Sequence, residues 1–248
     1  MSDTAAVRHL RQQVERNLAI AGRIPDSGAL RDSLERLQLW QRARLDATYS
    51  DLVAQPRFAP ACEFFLDELY GGRDVHARDR QLKRVLPVMR RFLPEHLLHA
   101  TGEAMRLQAV SLEFDFALAE ILIGVTEIRQ PDYARAYREH GHWEQRLEQI
   151  ALIQSLGELL DHTVRRTMVR RLVRIMRRPA EMGGAGLLQS FLERGLDAFA
   201  RMKGADEFLN TIHRRESEAL AAMRSGEDWP FEPWIGRGPL PDHVDGQK

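Results

Sequence analysis

A set of carboxylates between residues 111 and 127 could build a metal or small-molecule site. Glu113, Glu120 and Glu127 are spaced seven residues apart, so on a helix they would form one acidic stripe. Asp115 falls among apolar neighbours, which predicts that it is at least partly buried. Because buried charges need partners, one interpretation pairs each acid with an arginine across a helix interface. The alternative interpretation makes Glu113, Asp115 and Glu120 a candidate polar site that faces inward.

A di-iron centre of the ferritin-like type is the metal site that such a carboxylate row could supply. Those bundles need a Glu from each of two helices and a Glu-x-x-His from each of the other two. This sequence has one Glu-x-x-His, from Glu139 to His142, with Gly141 between them. There is no second copy, and the other histidines form no HExxH motif or recognisable metal set. We therefore assign no metal ligand, and the identity of any cofactor stays open.

Nucleophilic catalysis has no complete motif in this sequence. A GxSxG serine motif is absent, and the single cysteine, Cys62, falls on the predicted apolar face of its helix. Burial there would keep the thiol protonated and unreactive. The glycine cluster at residues 183–186 lacks a P-loop lysine and the dinucleotide-binding pattern, so it predicts a turn. No catalytic residue is assigned, and whether the chain is an enzyme stays open.

The most polarised stretch spans residues 165–178, which contain seven arginines and no acid, interleaved with apolar side chains. A basic amphipathic helix of this kind can lie on an anionic membrane surface or along a phosphate backbone. The alternative is a solvated face whose arginines pair with acids elsewhere, and residues 95–127 offer six acids against one arginine. We prefer the pairing interpretation. The candidate anion patch consists of Arg170, Arg171 and Arg174.

Another distinctive segment is the string FFLDELY at residues 64–70. Helical spacing places a wide apolar arc on one side of this segment, with Glu63 and Asp67 pointing away from it. The pattern predicts a helix wedged between two neighbours, with its carboxylates in water. A sharper interpretation gives Glu63, Asp67 and Glu68 a cation or an arginine-bearing partner. The motif residues are Phe64, Phe65, Leu66, Asp67, Glu68, Leu69 and Tyr70.

This string resembles the motif of a family of bacterial proteins that is named for FFLEELY. The resemblance continues through SLEFD at residues 111–115 and LQSFLERG at residues 188–195, and it covers residues 55 to 223. Asp67 stands where the family motif has glutamate, which shortens the carboxylate by one methylene. The family has no assigned activity, so the resemblance implies a family and no function.

Helical periodicity without any alternating strand pattern predicts an all-α protein, an irregular bundle of about eight to ten helices. Residues 1–54 are predicted to form a helical hairpin, broken by a GRIPD turn and packed on the main domain. Residues 55–224 form that main domain, with long helices predicted over 94–127 and 142–178. Residues 225–248 are rich in proline and glycine and predict an irregular C-terminal tail, pinned at its start by aromatic side chains.

Composition limits the classes of function. Lys plus Arg and Asp plus Glu both number 36, so the net charge is zero and no general affinity for nucleic acid is indicated. A single cysteine favours a reducing compartment. No stretch offers the about 18 uncharged apolar residues of a membrane span. These features predict a soluble, cytoplasmic protein without a transmembrane segment.

Two functional classes remain open. The favoured one is a non-enzymatic interaction or regulatory protein whose partner is another protein or a second copy of the chain. Nucleic acid and an anionic membrane surface are less favoured partners. The alternative is a helical small-molecule- or metal-binding protein, or an enzyme, that uses the inward acids Glu113, Asp115 and Glu120.

Overall fold

A computed structural model provides the fold. It describes residues 4–23, 27–70, 94–165 and 186–240, with six further positions between 171 and 178. Most of these residues are helical and none of them lies in a strand, and eight of the helices have seven or more residues. The prediction of an all-α, multi-helix fold is confirmed. No helix in these ranges is long and apolar enough to cross a membrane.

The helices of the described ranges are numbered here in chain order. They are α1 (Ala5–Ala21), α2 (Ala29–Thr48), α3 (Ser50–Val53), α4 (Ala59–Tyr70), α5 (Glu95–Ile121), α6 (Gln130–His140), α7 (Trp143–Val164), α8 (Gly186–Met202), α9 (Asp206–Ser225) and α10 (Glu232–Ile235). The described positions between 171 and 178 are helical as well. The turn predicted at 183–186 falls outside the described residues except for its last glycine.

The longest helix, α5, lies at the centre of the bundle and packs against α1, α2, α6 and α7. It ends at Ile121, so the helix predicted to run to residue 127 is too long. Gly124 follows the helix with a φ of 88°, which an α-helix does not contain, and Ile128 then lies buried in the core. Glu127 therefore does not lie on the helix with Glu113 and Glu120. It is exposed, and its Oε2 lies 3.0 Å from Arg129 Nη2.

Helices α6 and α7 form a hairpin around Gly141, which divides them completely. Gly141 has a φ of 66°, a left-handed conformation that glycine adopts without the steric cost of a side chain. The turn places Tyr133 and Tyr137, which are one helical turn apart on α6, beside Arg146 at the end of the first turn of α7. Helix α7 ends at Val164, before the predicted end at residue 178.

Two hydrophobic cores fill the bundle. The first core lies among α1, α3, α4, α8 and the beginning of α9, and includes Leu10, Phe58, Phe199 and Phe208. The second core lies among α2, the end of α5, α6 and the end of α9, and includes Leu37, Leu118, Tyr133 and Phe231. Phe231 comes just before α10, so the start of the C-terminal segment is part of the second core.

Candidate ligand-binding cavity

A cavity of about 160 Å³ lies at the junction of the two cores. For comparison, an engineered protein cavity of about 150 Å³ holds benzene, so this one has room for about six non-hydrogen atoms. Asp46, an exposed residue of α2, forms part of the lining, so the cavity reaches the surface beside that helix. One part of the wall is polar and contains Gln41, Arg44, Ser111, Asp115, Tyr133, Tyr137, Arg146, Gln149 and Glu216. The apolar part includes Phe65, Leu107, Ile153, Phe208 and Ile212.

Asp115 brings a buried carboxyl group to this wall from the middle of α5, with 5% of its surface exposed. Its Oδ1 accepts a hydrogen bond from Gln41 Nε2 at 3.0 Å, and its Oδ2 accepts one from Gln38 Nε2 at 3.4 Å. Burial raises the pKa of Asp115 to about 6, although the two amides and the positive charge of Arg146 act in the opposite direction. The carboxyl group therefore titrates close to neutral pH.

Two tyrosine hydroxyls continue the hydrogen-bond chain from Asp115. Gln41 Nε2 lies 3.4 Å from the Tyr133 hydroxyl, which is 3.0 Å from the Tyr137 hydroxyl. Arg146 Nη1 donates to the Tyr137 hydroxyl at 3.1 Å. The bond between the two hydroxyls uses only one of their two protons, whichever tyrosine donates it. One phenolic proton is therefore left to donate.

Arg146 is the second buried charge of the polar wall, with 3% of its surface exposed. Its Cζ lies 3.8 Å from the centroid of the Phe114 ring and 4.1 Å from that of Tyr137. Within the described residues, Nε and Nη2 have no hydrogen-bond partner. These two nitrogens form one edge of the guanidinium group, the edge with which Arg16 binds both oxygens of Glu113 at 3.0 and 2.5 Å. A carboxylate is the group that this edge fits.

Arg44, another residue of the cavity wall, shows how the protein neutralises a buried arginine. It is 5% exposed, and its Nη1 lies 2.6 Å from Glu216 Oε1. The Tyr49 hydroxyl donates to the same oxygen at 2.7 Å, and burial, then the charge of Glu216, raises the pKa of Tyr49. In the ranges that the structure describes, Arg146 forms no such salt bridge. Its charge, unlike that of Arg44, therefore has no carboxylate bonded to it.

The structure separates the three acids of the predicted polar site. Only Asp115 faces the interior, whereas Glu120 is exposed and Glu113 pairs with Arg16 of α1. The prediction that all three face inward is therefore wrong for Glu113 and Glu120. Positions 113 and 115 lie about 200° apart around a helix, so they cannot share a face. Pairing with an arginine across a helix interface is confirmed for Glu113, whereas amides bind Asp115.

The FFLDELY helix packs as predicted on its apolar side. Phe65 lies beside the rings of Phe199 and Phe208, with centroids 5.9 and 6.1 Å away. The prediction of a carboxylate in water holds for Glu63, which is exposed, and is wrong for Asp67. The carboxylate of Asp67 lies 3.3 Å from an Arg42 nitrogen and 3.5 Å from an Arg194 nitrogen. Phe64 is buried and Leu66 lines the cavity, whereas the side chains of Glu68, Leu69 and Tyr70 lie outside the described residues.

The candidate anion patch is only partly described. Arg170 lies outside the described residues, and Arg171 and Arg174 are exposed. Of the other arginines in this stretch, Arg165 lies 2.5 Å from Asp161 and Arg177 pairs with Glu193 of α8. Both arginines thus pair with an acid, and these two acids lie outside residues 95–127.

Metal and thiol chemistry have no site in the part of the chain that the structure describes. No three side chains from His, Cys, Asp and Glu come together there in a way that could hold a metal ion. Cys62 is buried, and this burial raises the pKa of its thiol to about 12. The structure thus agrees with the expectation that Cys62 is buried.

Comparison with known proteins identifies a family for this chain. The sequence model of a family described as "Domain of unknown function (DUF8198)" matches residues 23–230, well over half of the 248-residue chain. The chain belongs to this family. No curated protein and no solved structure matches it. The predicted membership of a family without an assigned activity is thus confirmed, and the DUF8198 match includes every cavity residue named above.

Sequence reasoning missed most of the polar wall of this DUF8198 chain. Arg146 is one of 36 basic residues, and four of the five other residues at 144–149 are charged or amides, so nothing in the sequence marks it as buried. Tyr133 and Tyr137 carried a usable signal, because aromatic residues four apart share one face of a helix. That signal indicates a buried face but does not indicate that the two hydroxyls meet an arginine.

Proposed function

We propose that this chain binds a small carboxylate with a largely apolar body in the cavity between the two cores. The observation that carries the proposal is the Nε–Nη2 edge of Arg146, which lacks a partner in the described residues although the side chain is buried. A buried charge without a bonded counter-ion destabilises a folded protein. A ligand carboxylate would supply the counter-ion and both hydrogen-bond acceptors.

The rest of the cavity fits the same chemistry. The phenolic proton left over by Tyr133 and Tyr137 can donate to a ligand carboxylate, and the apolar wall around Phe65 and Phe208 suits a hydrocarbon body. Nε and Nη2 lie within the wall, so the guanidinium group turns toward the cavity when the ligand binds. Its contacts with the rings of Phe114 and Tyr137 are not directional, so the directional bond that this turn has to break is the one from Nη1 to the Tyr137 hydroxyl.

Asp115 makes binding dependent on pH. A second negative charge in the cavity favours the protonated form of this carboxyl group, whose pKa is already about 6. Binding a carboxylate near neutral pH is then accompanied by uptake of a proton. Affinity is expected to rise as the pH falls from 7.5 toward 5.5, a range in which the ligand itself stays ionised.

Isothermal titration calorimetry with hexanoate and benzoate tests the proposal, with hexanol and hexylamine as neutral and cationic controls. Both acids should bind and the two controls should not. Arg146→Gln should weaken binding of the acids at least tenfold, because a charge-assisted bidentate contact is worth about 1.5–3 kcal/mol. Arg16→Gln removes the same charge from a site outside the cavity and should leave binding unchanged. Equal binding of hexanol and hexanoate, or an effect of Arg16→Gln equal to that of Arg146→Gln, would refute the proposal.

A conservative variant separates binding from folding. Arg146→Lys keeps a positive charge but loses the two-pronged edge, so it should weaken hexanoate binding while the thermal transition stays cooperative. Tyr137→Phe removes one hydroxyl from the hydrogen-bond chain and should weaken binding less, by the value of a single neutral hydrogen bond, about 0.5–1.5 kcal/mol. If both variants bound hexanoate as tightly as the wild type, the carboxylate would lie elsewhere.

The interaction or regulatory role favoured by the sequence is a second candidate, and one observation favours an anionic partner for it. Ile175 is 73% exposed, and Arg171, Arg174 and Arg178 around it are exposed too. An apolar side chain among cations is typical of a surface that meets lipid headgroups. Binding to vesicles containing phosphatidylserine at low salt, lost in Arg171→Gln/Arg174→Gln, would support this role. Failure to bind such vesicles would exclude it.

We also propose a finer identity and a location. The string FFLDELY supports assignment to the bacterial FFLEELY-motif proteins. The single, buried cysteine supports a reducing compartment and hence the cytoplasm.

A further inference from the structure

A second cavity, of about 90 Å³, lies next to the first among α4, α5, α7 and α8. Phe65 and Leu107 form part of the wall of both cavities. The two spaces are thus neighbours, with these two side chains standing at their shared boundary. None of the polar side chains proposed to hold the carboxylate lines the second cavity.

The chemistry of the second cavity is that of a hydrocarbon site. Its lining is apolar except for Thr101 and Gln108, and both of these have partners within the protein. The Thr101 hydroxyl donates to the Leu97 carbonyl oxygen at 2.8 Å, so it is not left to bind a ligand. A cavity with this lining favours methylene groups over water.

The relative sizes of the cavities set the length of the ligand. If about 150 Å³ accommodates the six carbons of benzene, the 160 and 90 Å³ of the two cavities accommodate about six and about four carbons. Passage between Phe65 and Leu107 requires their side chains to move, and a straight chain needs a narrower opening than a ring. Phe65 is only half-buried, so its ring is less constrained than those of Phe58 and Phe199.

We infer that the ligand is a straight-chain monocarboxylic acid of about eight to ten carbons, with its carboxylate at Arg146 and its tail in the second cavity. This inference rests on the function proposed above and adds the class of the hydrocarbon body. It predicts that the affinity for an acid depends on the length of its hydrocarbon chain and not on the shape of a ring.

Calorimetric titration with butanoate, hexanoate, octanoate, decanoate and tetradecanoate tests the inference on the full chain. Each buried methylene should tighten binding about fourfold up to decanoate, and tetradecanoate should show no further gain. Ala104→Leu adds three carbons to a residue that lines only the second cavity. In this variant the affinity should therefore stop rising at hexanoate. Ala151→Leu adds the same carbons at an exposed position of α7 and should follow the wild-type series.

The outcomes distinguish this inference from the proposed function. If hexanoate binds but octanoate and decanoate bind no more tightly, or if Ala104→Leu leaves the series unchanged, the second cavity does not hold the tail and the inference fails alone. If no acid of any length binds, the proposed function fails with it. Should Ala104→Leu lose cooperative unfolding, Leu156→Phe fills the same cavity from α7 and takes its place in the test.

Discussion

Replacing Asp115 by asparagine should stabilise the protein at neutral pH, although it removes a hydrogen-bonded residue from the core. The folded state raises the pKa of this carboxyl group from 3.8 to about 6, because burial disfavours the ionised form. A shift of about two units corresponds to about 3 kcal/mol of destabilisation when the group is ionised in both states. Asparagine keeps an oxygen for Gln41 and loses the weaker contact with Gln38, which costs about 1 kcal/mol.

The sign of the pH dependence follows from proton binding. Between about pH 4 and pH 6 the folded state binds more protons than the unfolded state, so the wild type gains stability as the pH falls. Asp115→Asn should therefore be more stable than the wild type by about 2 kcal/mol at pH 7.5 and by about zero at pH 4.5. The other titrating groups are the same in both proteins, so they cancel in this difference.

Urea denaturation followed by far-ultraviolet circular dichroism at both pH values measures the effect. Glu120→Gln makes the same chemical change at an exposed position of α5 and should alter stability by less than about 0.5 kcal/mol at either pH. The reasoning would be refuted if Asp115→Asn were less stable than the wild type at pH 7.5, or if its advantage did not shrink at pH 4.5. A variant that is more stable but binds hexanoate without the pH dependence would connect the buried charge with ligand binding.

Three further substitutions test the packing around the site. Asp67→Ala should lower the free energy of unfolding by about 1 kcal/mol, since it deprives two arginines of their shared carboxylate, and chemical denaturation measures this loss. Gly157→Ala should cost about 1–3 kcal/mol, because the added Cβ would lie 2.2 Å from Leu209 Cδ2 and displace this buried side chain of α9. Phe65→Ala should cost about 3 kcal/mol through lost contacts with the aromatic residues of the first core, as seen in a lowered melting temperature.

Two of these variants, Asp67→Ala and Gly157→Ala, have a matched control in the chain. Glu63→Ala removes an exposed carboxylate one turn before Asp67 and should cost less than about 0.5 kcal/mol. Gly186→Ala adds a Cβ that meets no atom within 4 Å and should be tolerated. A loss for Glu63→Ala as large as that for Asp67→Ala would show that the two arginines add nothing, and an unchanged Gly157→Ala would contradict the close approach of α7 and α9.

The amino-acid sequence by itself determined the class of the fold and the environment of several single residues. Apolar residues at helical spacing and the absence of alternating runs suffice to predict an all-α bundle, because periodicity is a local property. Asp115 and Cys62 could be predicted as buried for the same reason, since each lies among apolar neighbours on its own helix. The partners of these residues could not be predicted, because they lie on other helices.

Only the tertiary structure decided which polar groups meet. Helix α5 packs against four helices, so nearly its whole circumference is covered and its sequence does not indicate which neighbour Asp115 faces. Arg146 looks like a surface arginine in sequence and becomes a buried one because the hairpin of α6 and α7 folds it against Phe114 and Tyr137. The cavity itself belongs to no single helix. The side chains of two cores, which come from distant parts of the chain, leave this space unfilled between them. Whether such a space remains depends on side-chain packing in three dimensions.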